Sequence, residues 1–227
     1  AKALDDGDSL NATTAGNAPG LVSNPFDLRS DWGPATYDVR NLGVISGTYQ
    51  LPFGHGERYW NSSSGARNAI AGGWGVNSIV TLQSGFPFTP ELSYNPSNNG
   101  DSKNPVRPFV NPAFSGPVIE GSPKQWFNPA AFLAPPADSG FYGNAGRNTL
   151  TGPGLATWDL SFLKNTAIRG RLNLQLRAEL FNVLNRANFN TPNPVAFTPS
   201  GVSPTAGVIT STSTTSRQIQ FAAKLLW

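Results

Sequence analysis

The stretch Arg217-Gln-Ile-Gln-Phe-Ala-Ala-Lys-Leu-Leu-Trp227 decides the fold. Taken every second residue, Ile219, Phe221, Ala223, Leu225 and Trp227 are all apolar. The interleaved set, Gln218, Gln220, Ala222, Lys224 and Leu226, is mostly polar or small. Side chains alternate across a strand, so a period of two over this length predicts a β-strand with one apolar and one wet face. The length matches a tilted membrane-crossing strand of about 9–11 residues. Its last residue is aromatic, and outer-membrane strands place aromatics in an interfacial girdle. A half-buried strand of a soluble sandwich shares this pattern, so the other segments must decide between the two.

Composition narrows the classes. Charged residues are 13% of the 227, about half the globular average. Gly (24) and Pro (20) are abundant, while aromatics reach 11%, too many for simple disorder. The 16 Lys and Arg are scattered rather than clustered, so the net charge of +3 argues for no nucleic-acid partner. With no cysteine there is no disulfide framework and no thiolate metal site. With no methionine the sequence is expected to be a processed chain or a fragment. Residues 1–20 show no basic stretch followed by an apolar core. No apolar run approaches the ~18 residues of a membrane-crossing helix, which says nothing against a barrel.

Residues 1–36 are polar and turn-rich and read as an extracellular loop. Residues 37–227 read as barrel strands at 37–51, 74–84, 158–164, 171–184 and 217–227. The clearest is 171–184, where Leu172, Leu174, Leu176, Ala178 and Leu180 alternate with Arg171, Asn173, Gln175, Arg177 and Glu179. A helix would scatter those leucines around its circumference. The long loop 85–157 is punctuated by Asn-Pro pairs, as at Asn95-Pro96, Asn111-Pro112 and Asn128-Pro129. Asn-Pro initiates turns and Pro is excluded from sheet interiors, so no long strand is expected there. The same loop carries Phe109, Phe114, Trp126, Phe127, Phe132, Phe141 and Tyr142, and is expected to fold partly on itself.

The links alternate between long and shorter ones. In an up-and-down antiparallel sheet alternate links lie on opposite edges, so the longest all fall on one edge. Outer-membrane barrels share this asymmetry, with short periplasmic turns and long extracellular loops. The last strand then runs towards the short-turn side and carries Trp227 to the periplasmic interface. The expected fold class is all-β: an antiparallel up-and-down transmembrane β-barrel segment with long extracellular loops.

Five stretches strengthen this: Tyr49-Gln-Leu-Pro-Phe-Gly54; Gly73-Trp74 through Thr81-Leu-Gln-Ser-Gly-Phe-Pro-Phe-Thr89; Gly143-Asn-Ala-Gly-Arg-Asn148 with Gly152-Pro-Gly154; Leu176-Arg-Ala-Glu-Leu-Phe-Asn-Val-Leu-Asn185 with Asn188-Phe189; and Arg217-Gln-Ile-Gln-Phe221. Together they resemble the C-terminal end of TonB-dependent outer-membrane receptors, most closely the Oar-like type with a carboxypeptidase-regulatory-like domain, common in Acidobacteria. The resemblance covers about Asp38 to Trp227. It implies a barrel of about 22 strands around a plug. About five strands cannot close such a barrel, so the chain is expected to be the last quarter or so of a receptor and not transport-competent alone. Its closing strand would pair with a first strand outside these residues.

Catalytic chemistry has little foothold. His55, the one histidine, lies in the turn Phe53-Gly-His-Gly56. Ser161 and Lys164 match Ser-x-x-Lys, a motif that needs a helix. Asp5, Asp6 and Asp8, and Asp101 with Asn98 and Asn99, are cation candidates outweighed by ordinary solvated turns. The expectation is therefore no enzyme and no cofactor. The chain would reside in the bacterial outer membrane and take part in uptake of a bulky nutrient whose identity is unknown. Expected partners are outer-membrane lipid, the remaining receptor barrel and plug, and the barrel-assembly machinery. The alternative is a cell-surface binding or structural module using loop 86–157, with Trp126, Phe127, Phe132 and Tyr142 as ligand contacts. A soluble all-β enzyme ranks last, for want of a catalytic cluster.

Overall fold

A computed structural model describes residues 2–5, 23–24, 26–98, 100 and 106–227. Its contacts divide the chain into two compact units.

One unit is a sheet of five long strands: β1 (Leu42–Gln50), β2 (Trp74–Gln83), β3 (Leu155–Arg169), β4 (Leu172–Phe181) and β5 (Gln218–Leu226). Their order across the sheet is their order in sequence, a plain meander. Leu160↔Leu180 through Ala167↔Asn173 align β3 antiparallel to β4, and Phe181↔Gln218 through Asn173↔Leu226 align β4 antiparallel to β5. The Leu51 N–H donates to the Trp74 carbonyl (2.9 Å), and Ser84 N–H to that of Asn41 (2.9 Å), which fixes β1 and β2 as an antiparallel pair. At the far end of β3, the Asn165 N–H donates to the Gly73 carbonyl (2.8 Å). The links 84–154 and 182–217 leave by one edge of the meander; 51–73 and 170–171 leave by the other. Link 51–73 contains a short helix, α1 (Gly65–Ala71).

Strand boundaries differ from expectation where backbone chemistry overrides side-chain pattern. β1 starts at Leu42 rather than 37, because Asp38 N–H turns back to the Ala35 carbonyl (2.9 Å) and its carboxylate accepts from Ala3 N–H (3.0 Å). β3 is much longer than 158–164: residues 165–169 lack apolar alternation, yet the β4 ladder holds them. The expected link 165–170 thus shrinks to the turn Gly170-Arg171. Gly170 sits there at φ +58, a left-handed conformation that glycine adopts without penalty. β4 stops at Phe181 rather than 184, because Asn182 and Asn185 both take φ 51 and leave extended space.

The second unit assembles from 1–41, 83–154 and 188–213. Loop 85–157 and the polar stretch 186–216 are therefore not open loops. Short ladders tie them together: Pro87–Phe88 with Leu150–Thr151, Phe109–Val110 with Phe132–Leu133, and Glu91–Leu92 parallel to Val195–Thr198. Phe127 lies at 0% exposure in the core, its ring 5.9 Å from Phe88 and 6.2 Å from Phe132. Leu92, Val106, Leu150 and Phe197 pack with them, and Ala131, Ala145, Ala196 and Ala206 fill the spaces between. Prolines that preclude strands fill the interior instead: Pro90, Pro96, Pro108, Pro135 and Pro192 are fully buried.

Two arginines pin the lead segment into this unit. Arg107 pairs with Asp31 at 3.0 Å, both side chains buried, and also donates to Ser23 Oγ (2.6 Å) and the Ser30 carbonyl (2.9 Å). Burial pushes the Arg107 guanidinium below its ordinary value, and the Asp31 carboxylate pulls it partly back. Arg147 donates to the Asp31 carbonyl (2.6 Å) and pairs with Asp5.

Candidate functional site

The site is the five-stranded sheet itself, whose two faces differ in kind. On β4, Leu174, Leu176, Ala178 and Leu180 stand opposite Leu225, Ala223, Phe221 and Ile219 of β5. Across β3, Leu180 meets Leu160 and Ala178 meets Phe162. The terminal strand's Ile219, Phe221, Ala223, Leu225 and Trp227 are all exposed, Phe221 at 79% and Trp227 at 92%. Leu176 on the flanked strand β4 is 43% exposed. Fully burying one such side chain yields about 1.5–3 kcal/mol. Five of them amount to roughly 10 kcal/mol, comparable to the whole stability of a domain. An apolar face this continuous on a strand ladder is a surface for lipid rather than water.

The opposite face is polar. Glu179 faces Gln220 and Ser161; Gln175 faces Lys224 and Asn165. Gln175 Nε2 donates to Asn165 Oδ1 (3.0 Å), and Arg177 Nε donates to Gln175 Oε1 (3.2 Å). These side chains satisfy one another along β4 and across to β3 and remain open to water, as a lumen wall requires.

Lys164 interrupts the apolar face on β3, opposite Leu176. It is buried, donates to the Gly72 carbonyl, and lies 5.7 Å from the Trp74 ring centre. The ammonium thus bends towards the short-turn edge while its aliphatic stem stays on the sheet. Register sets Ser161 opposite Glu179 and Lys164 opposite Leu176, so the Ser-x-x-Lys pair lies on opposite faces.

Among the described residues, β1 hydrogen-bonds β2 and β5 hydrogen-bonds β4 within the sheet, and neither outer strand has a second neighbour. In lipid each unsatisfied backbone group costs several kcal/mol, so spanning sheets have no free edge.

The aromatic residues expected to contact a ligand are placed differently. Phe127 and Phe132 are core side chains of the loop unit and present no surface; their spacing in a Pro-rich stretch concealed that. Trp126 is half-buried against the same core, its indole N–H donating to the Thr151 carbonyl (2.8 Å). Tyr142 is half-buried, and its neighbour Phe141 is 60% exposed. His55 is an exposed turn residue whose N–H donates to Asn68 Oδ1 (2.7 Å). Of the cation candidates, Asp6, Asp8, Asn99 and Asp101 lie outside the described residues, and Asp5 is paired with Arg147.

What sequence reasoning missed is Asn182. Buried at 4% exposure, it donates from Nδ2 to the carbonyls of Arg186 (2.9 Å) and Thr215 (3.0 Å). Its Oδ1 accepts the Arg186 N–H (3.0 Å), and its own N–H donates to Asp159 Oδ1 (2.8 Å). Asn185 Oδ1 takes the Arg217 N–H (2.9 Å) just ahead of β5. The Phe-Asn-Val-Leu-Asn block is therefore a staple that ends β4 and launches β5. The signal available in sequence was two asparagines, the non-glycine residue best suited to positive φ, directly after an alternating run.

No significant match exists among the curated proteins or the solved structures. A family model described as an outer membrane beta barrel domain matches residues 1–220. The two-faced meander, its alternating long and short links and this match agree: the chain belongs to the outer membrane beta barrel domain family, and its place is the bacterial outer membrane.

Proposed function

We propose that the chain is the C-terminal barrel segment of a TonB-dependent receptor of the Oar-like type, which takes up a bulky nutrient. The observation that carries this reading is a sheet with a lipid face, a polar face and two open edges. Five strands cannot enclose a lumen wide enough for such a cargo, and the free edges of β1 and β5 call for further strands. The sequence blocks that resemble those receptors fall at structurally meaningful places. Phe181-Asn-Val-Leu-Asn185 forms the β4–β5 staple, and Gly143 packs where a Cβ would strike the Arg107 and Pro108 carbonyls. The polar face would line the lumen against the plug. Insertion would proceed through the barrel-assembly machinery. The role is conduction and binding, with no catalytic step and no cofactor.

Uptake by the complete receptor is expected to stop when TonB is deleted or the proton-motive force is collapsed, while the protein stays in the outer membrane. Uptake that continues unchanged overturns the transport reading. The 227-residue chain alone is expected to require detergent and to conduct nothing; a monodisperse detergent-free monomer overturns its assignment as a barrel segment.

A further inference from the structure

The β1–β2 link, residues 51–73, is more elaborate than a strand connection needs. It lies on the short-turn edge, where Leu51 and Gly73 are hydrogen-bonded to Trp74 and Asn165. It folds around Phe53, whose ring is 5.6 Å from Tyr59 and 5.3 Å from Trp60. Trp60 holds φ 60, a genuine outlier for a bulky residue, and its side chain is 59% exposed. The Arg58 guanidinium lies 5.5 Å from the Tyr59 ring centre. In α1, Ile70 is 72% exposed, Arg67 beside it is exposed, and the Ile70 carbonyl accepts the Trp74 indole N–H at 2.9 Å. Trp74 in turn begins β2 and is the ring against which Lys164 rests.

From this geometry we infer that the β1–β2 link is an interfacial anchor that lies in the phospholipid headgroup layer of the periplasmic leaflet. The inference rests on the membrane reading of the sheet and adds a lipid-binding surface to it. Three observations favour lipid as the occupant. Ile70 adjoins the sheet through the bond from the Trp74 indole to its carbonyl, and Tyr59 and Trp60 are exposed on the same link, so apolar surface extends from the sheet edge onto the link. Their chemistry is that of an interface: Tyr and Trp have an apolar body with a polar tip, suited to headgroup depth. The charges complement phosphate: Arg58 and Arg67 are exposed on the link, and Glu57 is its one carboxylate.

The test uses the complete receptor, cysteine-free outside these residues, reconstituted into vesicles of phosphatidylethanolamine and phosphatidylglycerol. Because the sequence has no cysteine, Ile70→Cys and Phe221→Cys each give a unique site for a nitroxide label. Power saturation compares collision with oxygen, which concentrates in lipid, and with a water-soluble nickel chelate. Both labels are expected to favour oxygen, Phe221 more strongly and Ile70 at headgroup depth. A Phe221 label in lipid with an Ile70 label fully open to nickel overturns the anchor alone. So does an Ile70 label shielded from both reagents, which would mark protein contact. A Phe221 label in water overturns the membrane reading and the anchor with it.

Discussion

Replacing Asn182 by alanine isolates the contribution of the β4–β5 staple. The side chain makes three hydrogen bonds at 2.9–3.0 Å from a 4% exposed position. Each is worth about 1 kcal/mol net, and the stranded Arg186 N–H and two carbonyls add desolvation cost. Alanine must also hold the left-handed backbone at φ 51, which costs about 1 kcal/mol or more. The total is roughly 3–5 kcal/mol, or a shift of a few hundred-fold or more in the folding equilibrium. Asn182→Gly removes the backbone penalty and keeps the hydrogen-bond loss, so it is expected to recover about 1 kcal/mol relative to alanine. Asn182→Asp keeps an acceptor but sets a carboxylate against two carbonyl oxygens, and is expected to be no better than alanine. Urea titration of the chain refolded into detergent, followed by tryptophan fluorescence and heat-modifiable gel mobility, measures all three. An alanine variant within about 0.5 kcal/mol of the parent, or a glycine variant less stable than alanine, refutes the staple as described.

The two faces of β4 should respond oppositely to charge. Leu176→Arg is expected to cost about 2–4 kcal/mol of insertion free energy, whereas Gln175→Arg stays near neutral; refolding yield of the complete receptor into vesicles compares them. Arg107→Met leaves Asp31 buried without its partner, which is expected to cost about 3–5 kcal/mol; faster amide exchange at residues 28–35 would report the loosened lead segment. Tyr94 donates its hydroxyl to the Pro135 carbonyl at 2.5 Å, and burial raises its pKa above the ordinary 10.0. A raised acid pKa in the folded state gives stability that is complete below 10.0 and fades as pH rises through the folded value, so the loop unit should weaken in alkali. Tyr94→Phe should flatten that alkaline loss while lowering stability at neutral pH by about 1 kcal/mol.

Strand alternation was legible because it is local. Ile219 to Trp227 and Leu172 to Leu180 declare a two-faced strand from spacing alone, since the period of two follows from backbone geometry. Link lengths between such strands carried the up-and-down order and the long-loop edge as well, and the family match agrees with the barrel class. Three things escaped. The extension of β3 through Arg169 has no apolar alternation to announce it; it exists because β4 supplies ladder partners. The burial of Phe127 and Phe132 depends on Phe88, Leu150 and Phe197, residues distant in sequence that meet only on folding, so a core looked like a ligand loop. The ends of strands were set by asparagine backbone conformation and side-chain staples rather than by hydropathy. Sequence by itself located the five long strands and, for β4 and β5, the apolar face, because alternation follows from neighbours two residues apart. Tertiary structure alone decided that 83–154 and 188–213 fold with the lead segment into a unit with its own core, because that core is built from contacts no local period can encode.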